Sequence, residues 1–276
     1  MIGKILLITE SGILPFYLNQ DDIAIDHDLL SGYCSAIYSF AKELTFPLRN
    51  IRFERHQMII ENFKNEDEKQ FLMAALFDEY HIEEGIKNKL RFIFEKYFEN
   101  YDFVEEGLRI TDNILDNEVK DILNDIPLKN HLKDNFKSIM EIIDPILMEE
   151  KNEIYAYSLN SSCNNILYCN ASLEILKNRK EETLEDIIKE YLLLWNLEKI
   201  PQGDQFTGQE LPTGLDLNDY VNTGRKMYGL VINTSFNLKE EPNNELLLYL
   251  FGKNTLMRSC VPYVDVQLRE KLCEVN

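Results

Sequence analysis

The side chains that could act as nucleophiles or bases are scattered along this sequence. Ser161, Ser162 and Cys163 are consecutive, but no base lies near them in the sequence, so a triad would have to assemble in space. The histidines are isolated, and none has a second histidine or a cysteine at zinc-ligand spacing: His27, His56, His81 and His131. We interpret His27 as part of a solvated helix cap, in which Asp26 or Asp28 can cap the helix start, and His56 as a hairpin-turn residue.

Clustered carboxylates are the second candidate, because burial can separate the pKa values of an acidic pair and so allow acid–base catalysis. The clusters are Glu66-Asp67-Glu68, Glu83-Glu84, Glu181-Glu182 and Glu240-Glu241. We interpret them as loop residues or first helical turns, where solvent and the helix dipole stabilise negative charge. The sequence therefore predicts no catalytic residue and no enzymatic activity.

Nucleotide-binding motifs give no better candidate. Gly252-Lys253 follows Leu-Tyr-Leu-Phe instead of a glycine-rich loop, so we interpret it as a hairpin turn. No G-x-G-x-x-G occurs in the sequence. Arg258 lies in a predicted strand, whereas an arginine finger for phosphoryl transfer would protrude from a loop. We expect no cofactor and no metal ion.

A small basic spot stands out in an acidic chain. Arg49, Arg52 and Arg55 lie close together in a sequence whose formal net charge is -19. They are our candidates for contact with a protein partner, and the alternative is an ordinary exposed strand. The acidic balance argues against nucleic-acid binding through a basic face, and against simple adsorption to anionic lipid.

Composition indicates a globular chain with enough apolar residues for two cores. The length of 276 residues suggests about two domains, and hydrophobic residues make up 45%. No segment approaches the roughly 18 consecutive apolar residues of a membrane span. The five cysteines are scattered, which is typical of reduced core thiols in a cytosolic protein. We expect a cytoplasmic protein that reaches membranes only through a partner.

Eight elements are predicted over residues 1–126, in the order β-β-α-β-β-β-α-α. The strands are predicted at 3–10, 13–18, 49–54, 58–63 and 70–78, and the last is apolar throughout, as in a central strand covered on both faces. The first helix has the clearest pattern, because one broad apolar stripe recurs at helical spacing: Leu29, Leu30, Tyr33, Cys34, Ile37, Phe40, Ala41 and Leu44. We expect this stripe to lie on the sheet.

This first module resembles a longin domain. The resemblance rests on the hairpin Ile-Thr-Glu-Ser-Gly-Ile at 8–13, on Leu-Leu-Ser-Gly-Tyr-Cys-Ser-Ala-Ile at 29–37, and on the ordered set of eight elements. It looks closest to longin-type proteins of archaeal lineages related to eukaryotes. The resemblance implies a profilin-like α+β fold that dimerises through helix and edge-strand contacts and presents a platform to small GTPases.

The second module is predicted to repeat this topology. A connecting helix and linker occupy 127–152, and residues 153–276 form a second five-stranded antiparallel sheet in the order β-β-α-β-β-β-α. Strands are predicted at 153–159, 164–170, 226–236, 245–251 and 255–261, with an irregular insertion at 200–224. This half resembles a longin or roadblock domain, and the alternative is an unrelated α+β domain.

Three functions follow from these expectations. The first is a non-catalytic regulator or scaffold for small GTPases in membrane-traffic-like processes, acting by conformational bias, as a homodimer or heterodimer with another longin or roadblock protein. The second is an adaptor, tether or coat-type subunit without GTPase contact, which would bind its partner through an exposed apolar patch. The third is a small-molecule sensor that uses the 200–224 loop as a lid over a closed pocket.

Overall fold

The computed structural model describes thirteen stretches of the chain. They are residues 2–21, 26–44, 50–53, 56–100, 109–134, 137, 139–141, 154–171, 185, 189, 207–210, 228–235 and 245–252. Within them, side chains are not described at residues 134, 154–156, 171, 207–210, 228–235, 245 and 250–252. The chain divides into two compact units, Met1–Ile126 and Pro127–Asn276. Each unit is described separately below.

The first unit contains a five-stranded antiparallel sheet in the order β2-β1-β5-β4-β3. The strands are β1 (Ile2–Thr9), β2 (Phe16–Asn19), β3 (Asn50–Arg52), β4 (His56–Lys64) and β5 (Gln70–Asp78). The central strand β5 is buried along seven consecutive residues, Phe71 to Phe77, so the prediction of a strand covered on both faces is confirmed. The turn after β1 uses Gly12, whose φ of 86° falls in the left-handed region.

One face of this sheet carries helix α1 (His27–Glu43). The Asp26 carboxylate accepts hydrogen bonds from the Asp28 and Leu29 backbone N–H groups, which caps the start of the helix as predicted. Leu30 and Cys34 enter a core formed with one face of β1, β4 and β5. The Ser31 hydroxyl donates to the Gly12 carbonyl at 3.1 Å, which ties α1 to the β1–β2 turn.

The opposite face of the sheet is covered by α2 (Glu83–Ile93) and a π-helical turn (Phe94–Phe98) that continues it. Phe94 stacks on Phe63 with ring centroids 4.7 Å apart, and Phe98 contacts Phe16 at 5.2 Å. These strand residues alternate with those that face α1, so the two helices bury opposite faces of one pleated layer.

Helices α3 (Asn113–Leu123) and α4 (Ile126–Asp134) follow, and a buried ion pair marks their junction. The Lys89 ammonium of α2 lies 2.5 Å from the Asp125 carboxylate, and it also donates to the Ile122 and Leu123 carbonyls at the end of α3. Asp125 has a φ of 53°, which breaks the helix there. An apolar stripe in the sequence predicts one helix, and this prediction is wrong at the junction because α3 ends at Leu123. The stripe consists of Ile114, Leu115, Val119, Ile122, Leu123 and Ile126.

The second unit contains another five-stranded antiparallel sheet, in the order β7-β6-β10-β9-β8. Its strands are β6 (Ile154–Ser161), β7 (Ile166–Ala171), β8 (Thr207–Glu210), β9 (Tyr228–Ser235) and β10 (Glu245–Gly252). In both sheets the first strand lies between the second and the fifth, so the strand topology repeats. The α+β class with antiparallel sheets is confirmed.

Two sequence-based predictions are wrong, and a third concerns residues that the structure does not describe. Thr207–Glu210 forms strand β8, so the prediction of an irregular insertion at 200–224 is wrong for these four residues. The strand predicted at 255–261 lies outside the described residues. His56 and Gln57 are not turn residues, because both belong to β4 and pair with β5, and the Phe53 N–H donates to the His56 carbonyl to close the hairpin before them.

Candidate functional site

The basic spot predicted as a partner contact is described only at one of its three residues. Arg52 lies exposed at the end of β3, opposite Gln57, while its neighbour Ile51 packs against the core beneath α1. Arg49 and Arg55 lie outside the described residues. The structure therefore does not test whether the three arginines lie together, and the partner contact stays a prediction.

The Ser161–Cys163 segment lies at the β6–β7 hairpin and is buried. The Ser161 hydroxyl and the Cys163 thiol are 3.2 Å apart, and the Asn160 side-chain amide donates to the Asn164 side-chain oxygen at 2.7 Å. Asn164 has a φ of 75°, which places the tight turn there, after strand β6 has continued to Ser161. These contacts account for the Ser161 hydroxyl, the Cys163 thiol and the Asn160 amide as parts of a hairpin, whereas the buried Ser162 hydroxyl makes no hydrogen bond.

The histidines are placed in separate structural settings. The His27 ring stacks on the Tyr17 ring, with centroids 4.0 Å apart. The Arg109 guanidinium lies 4.1 Å from the centroid of the Tyr17 ring. The His56 ring nitrogen lies 3.5 Å from the Asp78 carboxylate across the β4–β5 ladder. Within the part of the chain that the structure describes, no group of three or more His, Cys, Asp and Glu side chains could hold a metal ion.

In each acidic cluster that the structure describes, one carboxylate forms an ion pair with a lysine. Glu68 lies 2.6 Å from Lys64 in the β4–β5 turn region, and these contacts lower the pKa of Glu68. Glu83 lies 2.7 Å from Lys87 in the first turn of α2, as the helix-start interpretation predicted. The clusters at 181–182 and 240–241 lie outside the described residues.

A small polar cleft lies between α1 and the ends of β1 and β5. Its volume is about 60 Å³, far below the ~300–1,000 Å³ of ligand pockets. It is lined by Glu10, Ser35, Tyr38, Ser39, Lys42, Gln70 and Leu72. Burial raises the pKa of the Tyr38 hydroxyl, and the negative charge of Glu10 also raises it. A hydrogen bond with Asn62 lowers this pKa, but the net shift is upward. The cleft has room for a few water molecules only.

The most unusual surface of the first unit is the outer side of α1. Four large hydrophobic side chains of this helix are exposed: Leu29 at 73%, Tyr33 at 42%, Phe40 at 64% and Leu44 at 46%. At 100° per residue they fall within an arc of about 60° on the helix surface. We call these four residues the outer stripe. The expectation that the whole apolar stripe lies on the sheet is wrong for them.

The width of the predicted stripe was the signal that sequence reasoning missed. The eight apolar positions cover about 140° of the helix at 100° per residue, whereas a helix buries roughly a 100° arc against one flat layer. Leu30 and Cys34 take that layer, so Leu29 and Phe40 are left on the solvent side. Two further large hydrophobics, Phe53 and Ile114, are also exposed, but neither belongs to α1.

Comparison with known proteins identifies no relative. No model of a protein family matches this chain, and no curated protein matches it. Among the residues described, no helix combines the length and the apolar character that crossing a membrane requires. What the fold defines is an α+β protein with two antiparallel sheets of the same strand order, and its candidate site is an apolar helix surface instead of a polar pocket.

Proposed function

We propose that this chain is a non-catalytic protein-interaction module, built from two profilin-like units of longin or roadblock type, that regulates or scaffolds small GTPases in membrane-traffic-like processes. The observation that carries this proposal is the repeated strand order of the two sheets. In the first unit α1 joins the second strand to the third and lies across the sheet, which agrees with the element order on which the longin resemblance rests.

The absence of catalysis is part of the proposal and rests on how the chemistry-bearing side chains are used. Ser161 and Cys163 belong to a buried turn, and Cys34 lies in the core. The Glu68 and Glu83 carboxylates contact lysines. A module of this kind acts by binding one state of its partner more tightly than another, which shifts the partner's conformational equilibrium without a chemical step.

A pull-down tests the GTPase part of the proposal. The immobilised chain is incubated with the small GTPases of its source organism, each loaded with GDP or with a non-hydrolysable GTP analogue. We expect at least one GTPase to be retained preferentially in one nucleotide state. Retention without nucleotide preference, or no retention across the whole set, would contradict the regulatory role.

Two arginine variants sharpen this experiment. Arg52→Glu reverses the charge of the described residue of the basic spot on β3, and we expect it to weaken GTPase retention. Arg91→Glu is the matched control, because Arg91 is an exposed arginine on α2, a different element. Equal losses in the two variants would point to the net charge of the chain instead of a contact at β3.

The second candidate function is an adaptor, tether or coat-type subunit that binds another protein without GTPase contact. The outer stripe of α1 favours it, since exposed apolar patches of this kind mark interaction sites. The small-molecule sensor has no such support. Only Thr207–Glu210 of its proposed lid is described, and these residues form an edge strand of the sheet.

A further inference from the structure

Two aromatic rings near the end of α2 hold a positive charge between them. Phe94 and Phe98 of the π-helical turn are buried, whereas Phe92 and Tyr97 are only half-buried. The ammonium of the exposed Lys96 lies 5.6 Å from the centroid of the Phe92 ring and 5.1 Å from the centroid of the Tyr97 ring. Both distances fall within the roughly 6 Å range of cation–π attraction, so one ammonium interacts with two rings.

The π-helical turn brings these side chains together. The Glu99 N–H donates to the Phe94 carbonyl at 2.9 Å, and this i→i+5 bond makes the turn wider than a turn of α-helix. In a regular α-helix the residue five positions after Phe92 would lie about 140° away around the helix axis. In the wider turn, Lys96 reaches both the Phe92 ring and the Tyr97 ring. Single π-turns of this kind occur frequently at functional sites.

Helix α3 adds negative charge beside this aromatic pair. Glu118 and Asp121 are exposed on α3. Burial raises the pKa of the Tyr97 hydroxyl, and interaction with the Glu118 carboxylate and the charge of Asp121 raise it further, so both carboxylates act on this ring. Among the residues that the structure describes, neither carboxylate forms an ion pair with a lysine or arginine, in contrast to Glu68 and Glu83. Their negative charge is therefore available to a cation from outside the chain.

An exposed apolar side chain lies on the same side of α3 as these carboxylates. Ile114 is 70% exposed, and at 100° per residue it shares an arc of about 60° with Glu118 and Asp121. We call Phe92, Tyr97, Ile114, Glu118 and Asp121 the aromatic–acidic surface. It combines two rings, two unpaired carboxylates and one large aliphatic group on neighbouring helices.

We propose that the aromatic–acidic surface binds a basic segment of a protein partner, with an arginine side chain stacked on the Phe92 and Tyr97 rings and an apolar residue against Ile114. Charge complementarity identifies the occupant, because aromatic faces and carboxylates both attract a cation. The formal net charge of -19 also favours encounters with basic partners. A guanidinium stacks on rings better than an ammonium and is more weakly hydrated, so the partner's arginine displaces Lys96 from the rings.

An NMR titration with short, end-blocked peptides tests this proposal. In the probe peptide one arginine is flanked by leucines, and in two comparison peptides lysine or citrulline, a neutral analogue, replaces the arginine. We expect saturable shifts of the Phe92 and Tyr97 ring resonances, with a dissociation constant of about 0.1–1 mM. Citrulline should weaken binding at least about tenfold and lysine about threefold, because the first removes the charge and the second the planar stack. Shifts that do not saturate, or equal affinities of the arginine and citrulline peptides, would overturn the proposal.

Two charge-neutralising variants separate this surface from the general attraction of an acidic chain. Glu118→Gln removes one negative charge beside Tyr97, and Glu43→Gln removes one at the exposed end of α1. At about 0.15 M salt, charges more than about 8 Å away are largely screened, so Glu118→Gln should weaken the probe peptide about three- to fivefold and Glu43→Gln should not. Both positions are exposed, so the circular dichroism of both variants should match the wild type. Equal losses would mean binding through net charge alone and would end the proposal.

Lys96→Met tests the position assigned to the arginine. Methionine keeps an apolar side chain but removes the ammonium, so nothing competes with the peptide for the two rings, and we expect at least about threefold tighter binding. Lys42→Met on α1 is the matched control, because it changes the net charge equally and should leave the affinity unchanged. Equal affinities of these two variants would refute the stacked position. None of these measurements involves a GTPase, so this inference and the proposed function fail independently.

Discussion

The Cys34 thiol lies 3.6 Å from the Met58 sulfur, beneath α1 and out of contact with solvent. Burial raises the pKa of this thiol from its usual value of 9.0 to about 12. Cys169 on β7 is half-buried, and burial, with a smaller contribution from Glu185, raises its pKa to about 11. The reactive species is the thiolate, so both residues behave as inert packing groups at neutral pH.

Thiol labelling gives the first prediction at the residue scale. With iodoacetamide at pH 8, Cys34 and Cys169 of the folded chain should react at least about a hundredfold more slowly than in denaturant, because almost no thiolate is present. Cys34 should be the slower of the two, since its pKa is higher and its side chain is more buried. Mass spectrometry of digested samples follows each cysteine separately. Rapid labelling of native Cys34 would show that α1 opens from the sheet.

The roles predicted for single polar residues depended strongly on the structure around each residue. Asp26 was one of two candidate caps, and the structure assigns the cap to Asp26. His56 was interpreted as a hairpin-turn residue, but it pairs with Asp78 in the β4–β5 ladder. Strand ends are poorly marked by single polar residues, since an edge position of a strand and a turn both tolerate them.

At the scale of elements, Lys89 joins α2 to the end of α3. Its side chain is fully buried on α2, and its ammonium contacts the Asp125 carboxylate and donates to two carbonyls in the last turn of α3. The carbonyls of a last turn lie beyond the regular hydrogen-bond ladder of a helix. Lys89 therefore caps α3 and also neutralises the buried carboxylate.

Lys89→Met should cost about 3–5 kcal/mol of unfolding free energy, because the Asp125 carboxylate and the α3 carbonyls lose their buried partner. Lys87→Met is the matched control on the same helix. Lys87 pairs with Glu83 near the surface, where such pairs contribute about 1 kcal/mol or less. Urea unfolding of the two variants measures both values. Equal losses would mean that the Lys89 contacts are not special to the buried site.

The apolar periodicity of the sequence predicted the strands and helices of the first unit better than those of the second. The prediction for β5 at 70–78 is confirmed to the residue, since an unbroken apolar run of that length fits a central strand. Strand β8 escaped detection because Thr207–Glu210 contains glycine and glutamine and no apolar alternation. A short edge strand gains its pairing from the neighbouring strand, so its own residues carry little signal.

At the scale of the whole molecule, the chain divides after Ile126, and we expect the first unit to fold without the second. A fragment of residues 1–126 retains both sheet faces and the Lys89–Asp125 pair. We expect it to unfold cooperatively, with the far-ultraviolet circular dichroism of an α+β domain.

The Asp125→Asn variant of the same fragment is the control for this prediction. The amide removes the negative charge beside the buried ammonium of Lys89, and asparagine tolerates the positive φ at this position, so we expect a loss of stability of about 3–5 kcal/mol. Comparing the urea unfolding curves of the two fragments measures the difference. Identical stabilities, or an unsubstituted fragment without a cooperative transition, would contradict the assignment of Asp125 to the first unit's core.

The sequence by itself determined the class of the fold and most of the first sheet. Its apolar periods of two and of about 3.6 residues define which segments are strands and helices, because each buried face needs a continuous apolar surface. Only the tertiary structure decided which part of the α1 stripe is used. The sheet covers Leu30 and Cys34, and the width of that contact leaves Leu29, Tyr33, Phe40 and Leu44 outside. A pattern of residues shows that a helix face is apolar, but what covers the face is a property of the layer packed against it.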